Sequence, residues 1–111
     1  DYVFSADATQ PVPVMEKIEE LTNGEMCDIT INNVNITDTE MTSILCTKNT
    51  VIVYFFSMAT SFTKAALGAE GVGSDVTMIV GNGYTKGHAE ITLQELRESE
   101  ALRKIFTELY A

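Results

Sequence analysis

The residues best suited to phosphate chemistry are two clusters of glycine. Gly81-Asn82-Gly83 with Gly87 reads G-x-G-x-x-x-G, between a strand-like run and a helical one. A pyrophosphate cradle uses G-x-G-x-x-G at a strand-to-helix turn, where missing side chains let main-chain N–H groups close on the anion. The spacing here is one residue too long. Gly68, Gly71 and Gly73 read G-x-x-G-x-G but end a helical pattern instead of opening one. Neither cluster is followed, about 20 residues on, by an acidic residue at a strand end to hold a ribose hydroxyl. No G-K-[ST] is present. As turns that use glycine's freedom at positive φ, both clusters are ordinary.

The other chemistry-bearing side chains are isolated. His88 lacks a recognisable partner to orient it as an acid or base, and its place after a turn suits a solvated residue. Ser57, Ser61 and Ser74 lie outside any G-x-S-x-G elbow. Cys27 and Cys46 read as two free thiols of a reducing, cytoplasmic setting, with a single bridge between them as the alternative. With His88 they offer at most three ligands and no zinc-type pair, so no metal site is expected. Glu19-Glu20 and Glu98/Glu100 fit solvated helix faces. No residue earns a catalytic role.

These side chains hang on an alternation of strand and helix. Tyr2–Ser5 is short and extended. Pro13 suits a first helical turn, Val14, Ile18 and Leu21 follow at i, i+4 and i+7, and Asn23-Gly24 closes that helix. Residues 27–34 (CDITINNV) read as a strand. Thr37 and Glu40 fit a capping box for a short helix whose stripe is Met41, Ile44 and Leu45. The unbroken apolar run 51–56 (VIVYFF) predicts a central parallel strand covered on both faces. Phe62, Ala65, Ala66 and Ala69 mark a third helix, and 76–80 (VTMIV) the next strand. Ala89, Leu93 and Leu96 mark a further helix. Ser99 caps a last one, with Leu102, Ile105, Phe106 and Leu109 as its expected core face. Strands joined by helical crossovers imply an α/β fold with a parallel sheet.

At 111 residues, one domain is the limit. A formal charge of -9, from sixteen acidic and seven basic residues, argues against nucleic acid, because phosphate affinity comes from Lys and Arg. No run reaches the about 18 apolar residues that a membrane span needs, and no basic start with an apolar core marks a signal peptide. In open parallel sheets, ligands bind beyond the carboxyl ends of the strands. Three such ends are visible: Asn33-Val34-Asn35, Phe56-Ser57-Met58 and Gly81-Asn82-Gly83. Side by side they would form one crevice rim; alternatively, their Asn and Gly merely serve turns.

The order of segments resembles the second half of the nucleotide domain of medium-chain dehydrogenases, from a helix ending LTNG through CDITINNV to the closing helices. EMTSILCTK, YFFSMATSFTKAALGAEGVG and MIVGNGYTKGHAE resemble, more narrowly, the diaminohexanoate dehydrogenases of lysine-fermenting anaerobes. Asn32-Asn33-Val34-Asn35 and Cys46-Thr47-Lys48-Asn49 depart from the wider superfamily's "D-x-V-G" and "R-P-G-G". The resemblance implies that 1–111 is the C-terminal half of a Rossmann-like dinucleotide-binding domain, without the first glycine turn and the substrate domain. It implies NAD as cofactor and a small amino-acid substrate. The reaction that the resemblance implies is a reversible oxidative deamination of 3,5-diaminohexanoate to 5-amino-3-oxohexanoate and ammonia. Phe56, Ser57 and Met58 with Val80, Gly81 and Asn82 would hold the nicotinamide side through main chain, and Asn33 and Val34 would border the adenosine ribose. Alanine should be mild at these positions except at Gly81. The resemblance also implies a homodimer through the edge strand Val76–Val80. Two other readings stand beside it: a self-contained small α/β ligand-binding or regulatory module without catalysis, and a standalone acidic enzyme. The opening Asp1-Tyr2-Val3-Phe4 reads as cut from a longer chain.

Overall fold

The computed structural model describes residues 1–81 and 85–110. Helix α1 (Pro11–Leu21) begins on proline, whose fixed φ suits a first turn, and closes where the Gly24 N–H donates to Glu19 O at φ +83°. Strand β1 (Cys27–Asn32), helix α2 (Glu40–Leu45), strand β2 (Thr47–Phe55), helix α3 (Phe62–Gly71) and strand β3 (Thr77–Val80) follow. Two helices, α4 (His88–Glu98) and α5 (Glu100–Tyr110), end the chain. Residues 1–7 carry no regular element, so Tyr2–Ser5 is not a strand.

The three strands are parallel, in the order β1-β2-β3, which confirms the expected α/β class. Ile29 pairs with Ile52, Ile31 with Tyr54, Val53 with Met78 and Phe55 with Val80. A bulge in β2 between Thr47 and Ile52 shifts the register. There Thr50 takes φ +69° and its N–H donates to Asp75 O.

Side chains alternate along a strand, so β2 offers Val53 and Phe55 to one face and Ile52 and Tyr54 to the other, which Phe56 just beyond the strand extends. Helices α2 and α3 cover the first face. Val53 and Phe55 are fully buried there with Ile44, Ala65 and Ala69. Burying a Phe such as Phe55 is worth about 1.5–3 kcal/mol relative to exposure. Gly68 lets α2 and α3 close up: a Cβ there would stand 3.3 Å from Met41 Cε.

Two sequence expectations need correction. The run 51–56 is not covered on both faces, since Ile52 is 36% and Phe56 43% exposed. All the helices between the strands pack on one side, and α4 and α5 pack chiefly on each other. The Thr37–Glu40 capping box does not form either. The helix starts at Glu40 behind Thr39, without a side-chain cap, because Asp38 takes φ +65°. Glu40 is instead buried and turned toward α3. At α5 the expected cap is present: Ser99 Oγ accepts from the Leu102 N–H. Among the described residues, no helix is long and apolar enough to cross a membrane.

Candidate functional site

Parallel pairing puts the carboxyl ends of all three strands on one edge, joined by main chain. The Phe56 N–H donates to Asn32 O at 2.8 Å, and the Gly81 N–H to Phe55 O at 3.2 Å. The strand ends therefore lie side by side among the described residues. Asn82 lies outside them.

The rim residues divide by direction. Ser57, Met58, Val80 and Gly81 line an open groove of about 270 Å³, with Phe55, Thr60 and Phe62. Asn33 and Phe56 turn to the other side of the sheet, where they line a shallow hollow of about 280 Å³ with Ile31 and Tyr54. Val34 faces away from both, into a groove between α1, β1 and α2. The seven expected positions among the described residues thus share an edge but not a pocket. A larger hollow of about 400 Å³ lies between the N-terminal segment and α1, around Phe4, Gln10 and Lys17, and includes none of them.

Local sequence shapes the central loop. Ser57 folds it back on itself: its Oγ accepts from the Ala59 N–H and its carbonyl from the Thr60 N–H. Ser61 then caps α3, its Oγ accepting from the Lys64 N–H. Among the described residues no partner takes up the main-chain N–H of Ser57 or of Met58. At the neighbouring strand end a Cβ on Gly81 would stand 3.3 Å from Tyr54 Oη. Free N–H groups and a missing side chain suit a planar amide or a phosphate that is read by main chain. In that respect the rim fits a dinucleotide.

Polar side chains beneath the rim escaped the sequence reading. Asn32, Thr39, Glu40 and Ser43 are all buried and all hydrogen-bonded. The signal was period 2 in β1: Asn32 falls on the inward face with Thr30, where an apolar residue is the default. Near them the Asp38 carboxylate, hydrogen-bonded to the Lys64 ammonium, raises the lysine's pKa. Cys46 is buried, and desolvation with Cys27 nearby pushes its thiol up to about 11. Both cysteines are free thiols. His88 Nδ1 lies 2.8 Å from Thr85 O, a local contact at the start of α4. No cluster of metal ligands occurs among the described residues.

Fold and rim together are those of half of a doubly wound, Rossmann-like α/β sheet, the class that binds ligands at its strand carboxyl ends. The curated relatives make the class specific. Over 110 residues, 99% of the chain, it is 64% identical to L-erythro-3,5-diaminohexanoate dehydrogenase of Acetoanaerobium sticklandii. Over 108 residues it is 60% identical to the enzyme of the same name from Fusobacterium nucleatum subsp. nucleatum. The chain spans about a third of the length of these relatives, 32% and 31%. No family model matches it.

Proposed function

We propose that the chain serves as the C-terminal half of the dinucleotide-binding domain of an NAD-linked dehydrogenase that deaminates L-erythro-3,5-diaminohexanoate. The 64% identity to a protein of that name, over almost the whole chain, carries this reading. When bound, the nicotinamide supplies the acceptor for hydride leaving the amine-bearing carbon, which then loses ammonia by hydrolysis to the 3-oxo acid. This chain's part is to bind and orient. The Ser57 and Met58 N–H groups are placed to hold the nicotinamide side, with Val80 and Gly81 bordering it through main chain. Asn33 and Val34 border the ribose side, although their side chains point apart. We assign most of the acid–base machinery to parts of the enzyme outside this stretch.

Strand β3 is a sheet edge in this structure, short and without Pro or Lys, a form that recruits another strand. We assign it to a homodimer contact, which Met78→Pro should break in sedimentation. The two free thiols support a reducing, cytoplasmic setting.

The decisive experiment expresses the whole polypeptide and follows NAD reduction with the diamino acid. Reduction should occur and fall on Gly81→Ala. No reduction with this substrate overturns the assignment. Unchanged NAD affinity in Gly81→Ala and in Met58→Pro, which removes an N–H, overturns the rim.

A further inference from the structure

Two loops of the rim, 33–39 after β1 and 56–61 after β2, meet at the first turn of α2. On one side Asn32, 4% exposed at the end of β1, donates from Nδ2 to Thr39 Oγ1 at 2.9 Å and to Ser43 Oγ at 2.8 Å. Its Oδ1 accepts from the Val34 N–H at 3.1 Å, so the same amide fixes the start of the first loop. On the other side Glu40, 3% exposed, accepts at Oε1 from the Ser61 N–H at 2.8 Å, where the second loop ends.

A buried carboxylate is expensive unless it is hydrogen-bonded or paired. A Thr39–Glu40 turn used only to start a six-residue helix needs no such group. Glu40 spends its carboxylate on a main-chain donor 21 residues away. Asn32 spends its amide on two hydroxyls and one N–H. Neither side chain lines the groove of Ser57, Met58, Val80 and Gly81. On the surface Asp38 of the first loop forms an ion pair with Lys64 in the first turn of α3.

We infer that Asn32 and Glu40 are positioning residues that set the spacing between the two dinucleotide-holding loops, with Thr39 and Ser43 as their shared anchor. This rests on the rim binding a dinucleotide, as proposed above. Main-chain contacts tolerate little misplacement, and a shift of about 1 Å at a distance from the chemistry can cost about 100-fold. The brace therefore acts on cofactor affinity before it acts on the reaction.

The test uses the whole polypeptide, with dinucleotide affinity read by calorimetry beside KM, kcat and thermal stability. Glu40→Ala should weaken dinucleotide binding at least about 10-fold with kcat changed far less. Glu40→Gln keeps an acceptor for the Ser61 N–H and should restore most of that affinity. Asn32→Ala should act like Glu40→Ala, while Ser43→Ala, which removes one of three acceptors around Asn32 Nδ2, should act more weakly. Val53→Ala is the control, since it lowers stability from the core without touching the brace. If Glu40→Ala and Val53→Ala lose affinity only in step with their loss of stability, Glu40 is structural and the inference fails. If Glu40→Ala does not fold, Glu40→Gln and Ser43→Ala decide by amide exchange. Unchanged protection at Ser61 and Val34, together with weakened binding, overturns the brace. If brace variants are silent while Met58→Pro abolishes binding, the brace fails and the rim stands. If all are silent, the rim reading itself has failed.

Discussion

The two faces of this sheet are made by the same strands and have different fates. On one face Val53 and Phe55 lie wholly buried under α2 and α3. On the other, Ile29 and Ile31 are 60% and 65% exposed, and Ile52, Phe56 and Ile79 are open beside them. Both faces are apolar, so hydrophobicity alone did not choose which would be buried. Connectivity did: each crossover helix lies on the same side, and among the described residues α4 and α5 pack chiefly on each other. A contiguous apolar patch of this kind marks a contact surface. In a protein three times this length, such as the curated relatives, further chain is available to cover it.

The largest expected effect lies on the covered face. Phe55→Ala should cost about 3–5 kcal/mol in denaturant unfolding of residues 1–111 alone, while Phe56→Ala, one residue on with its face open there, stays within about 0.5 kcal/mol. Equal losses would mean that both faces are already buried within this stretch. Ile31→Lys sharpens the same point. In the whole polypeptide it should destabilise by about 2 kcal/mol or more, because covering the face would strand an ammonium without a partner. A change below about 0.5 kcal/mol would show that the face stays exposed.

A smaller effect tests the rim, where the two faces meet. Gly81→Ala should raise the KM for the dinucleotide several-fold, since its Cβ meets Tyr54 Oη from the open face. Tyr54→Phe, by removing that oxygen, should recover part of the loss. No recovery would place the cost of Gly81→Ala in the groove, not in the tyrosine.

The smallest effect is a pH dependence seated between the sheet and its covering helices. Burial raises the Cys46 thiol from 9.0 to about 11, so the folded protein keeps this proton more tightly than the unfolded chain does. The resulting stability is complete below about pH 9 and is lost as pH rises toward 11. Cys46→Ala should flatten that alkaline limb. At neutral pH, alkylation followed by mass spectrometry should find Cys46 slower than the half-buried Cys27. Equal rates would show that the covered face opens.

Much of the fold was legible. The helix at 11–21 followed from Pro13, the i, i+4, i+7 stripe and Asn23-Gly24. The runs 27–34, 51–56 and 76–80 located the three strands from β-branched residues between turn residues, but β2 begins at Thr47, four residues before the predicted run. Ala65 and Ala69 were on the expected core stripe and are buried. The rim was legible as position, because strand ends can be read wherever strands can. Its pockets were not: Asn33 and Phe56 face one side of the sheet and Ser57 the other. The capping box at Thr37 misled for a related reason. Local spacing permits Glu40 to reach back to its own helix start, but Ser61, distant in sequence, competes for the same carboxylate and wins it.

The sequence by itself determined the elements, their parallel pairing and the residue types at the strand ends, because periodicity and turn chemistry act over a few residues. The tertiary structure alone decided which face of β2 went inside, where Glu40 spends its charge and how Asn32 ties a strand end to a helix. Those outcomes depend on groups far apart in the chain that meet only after the helices have crossed the sheet.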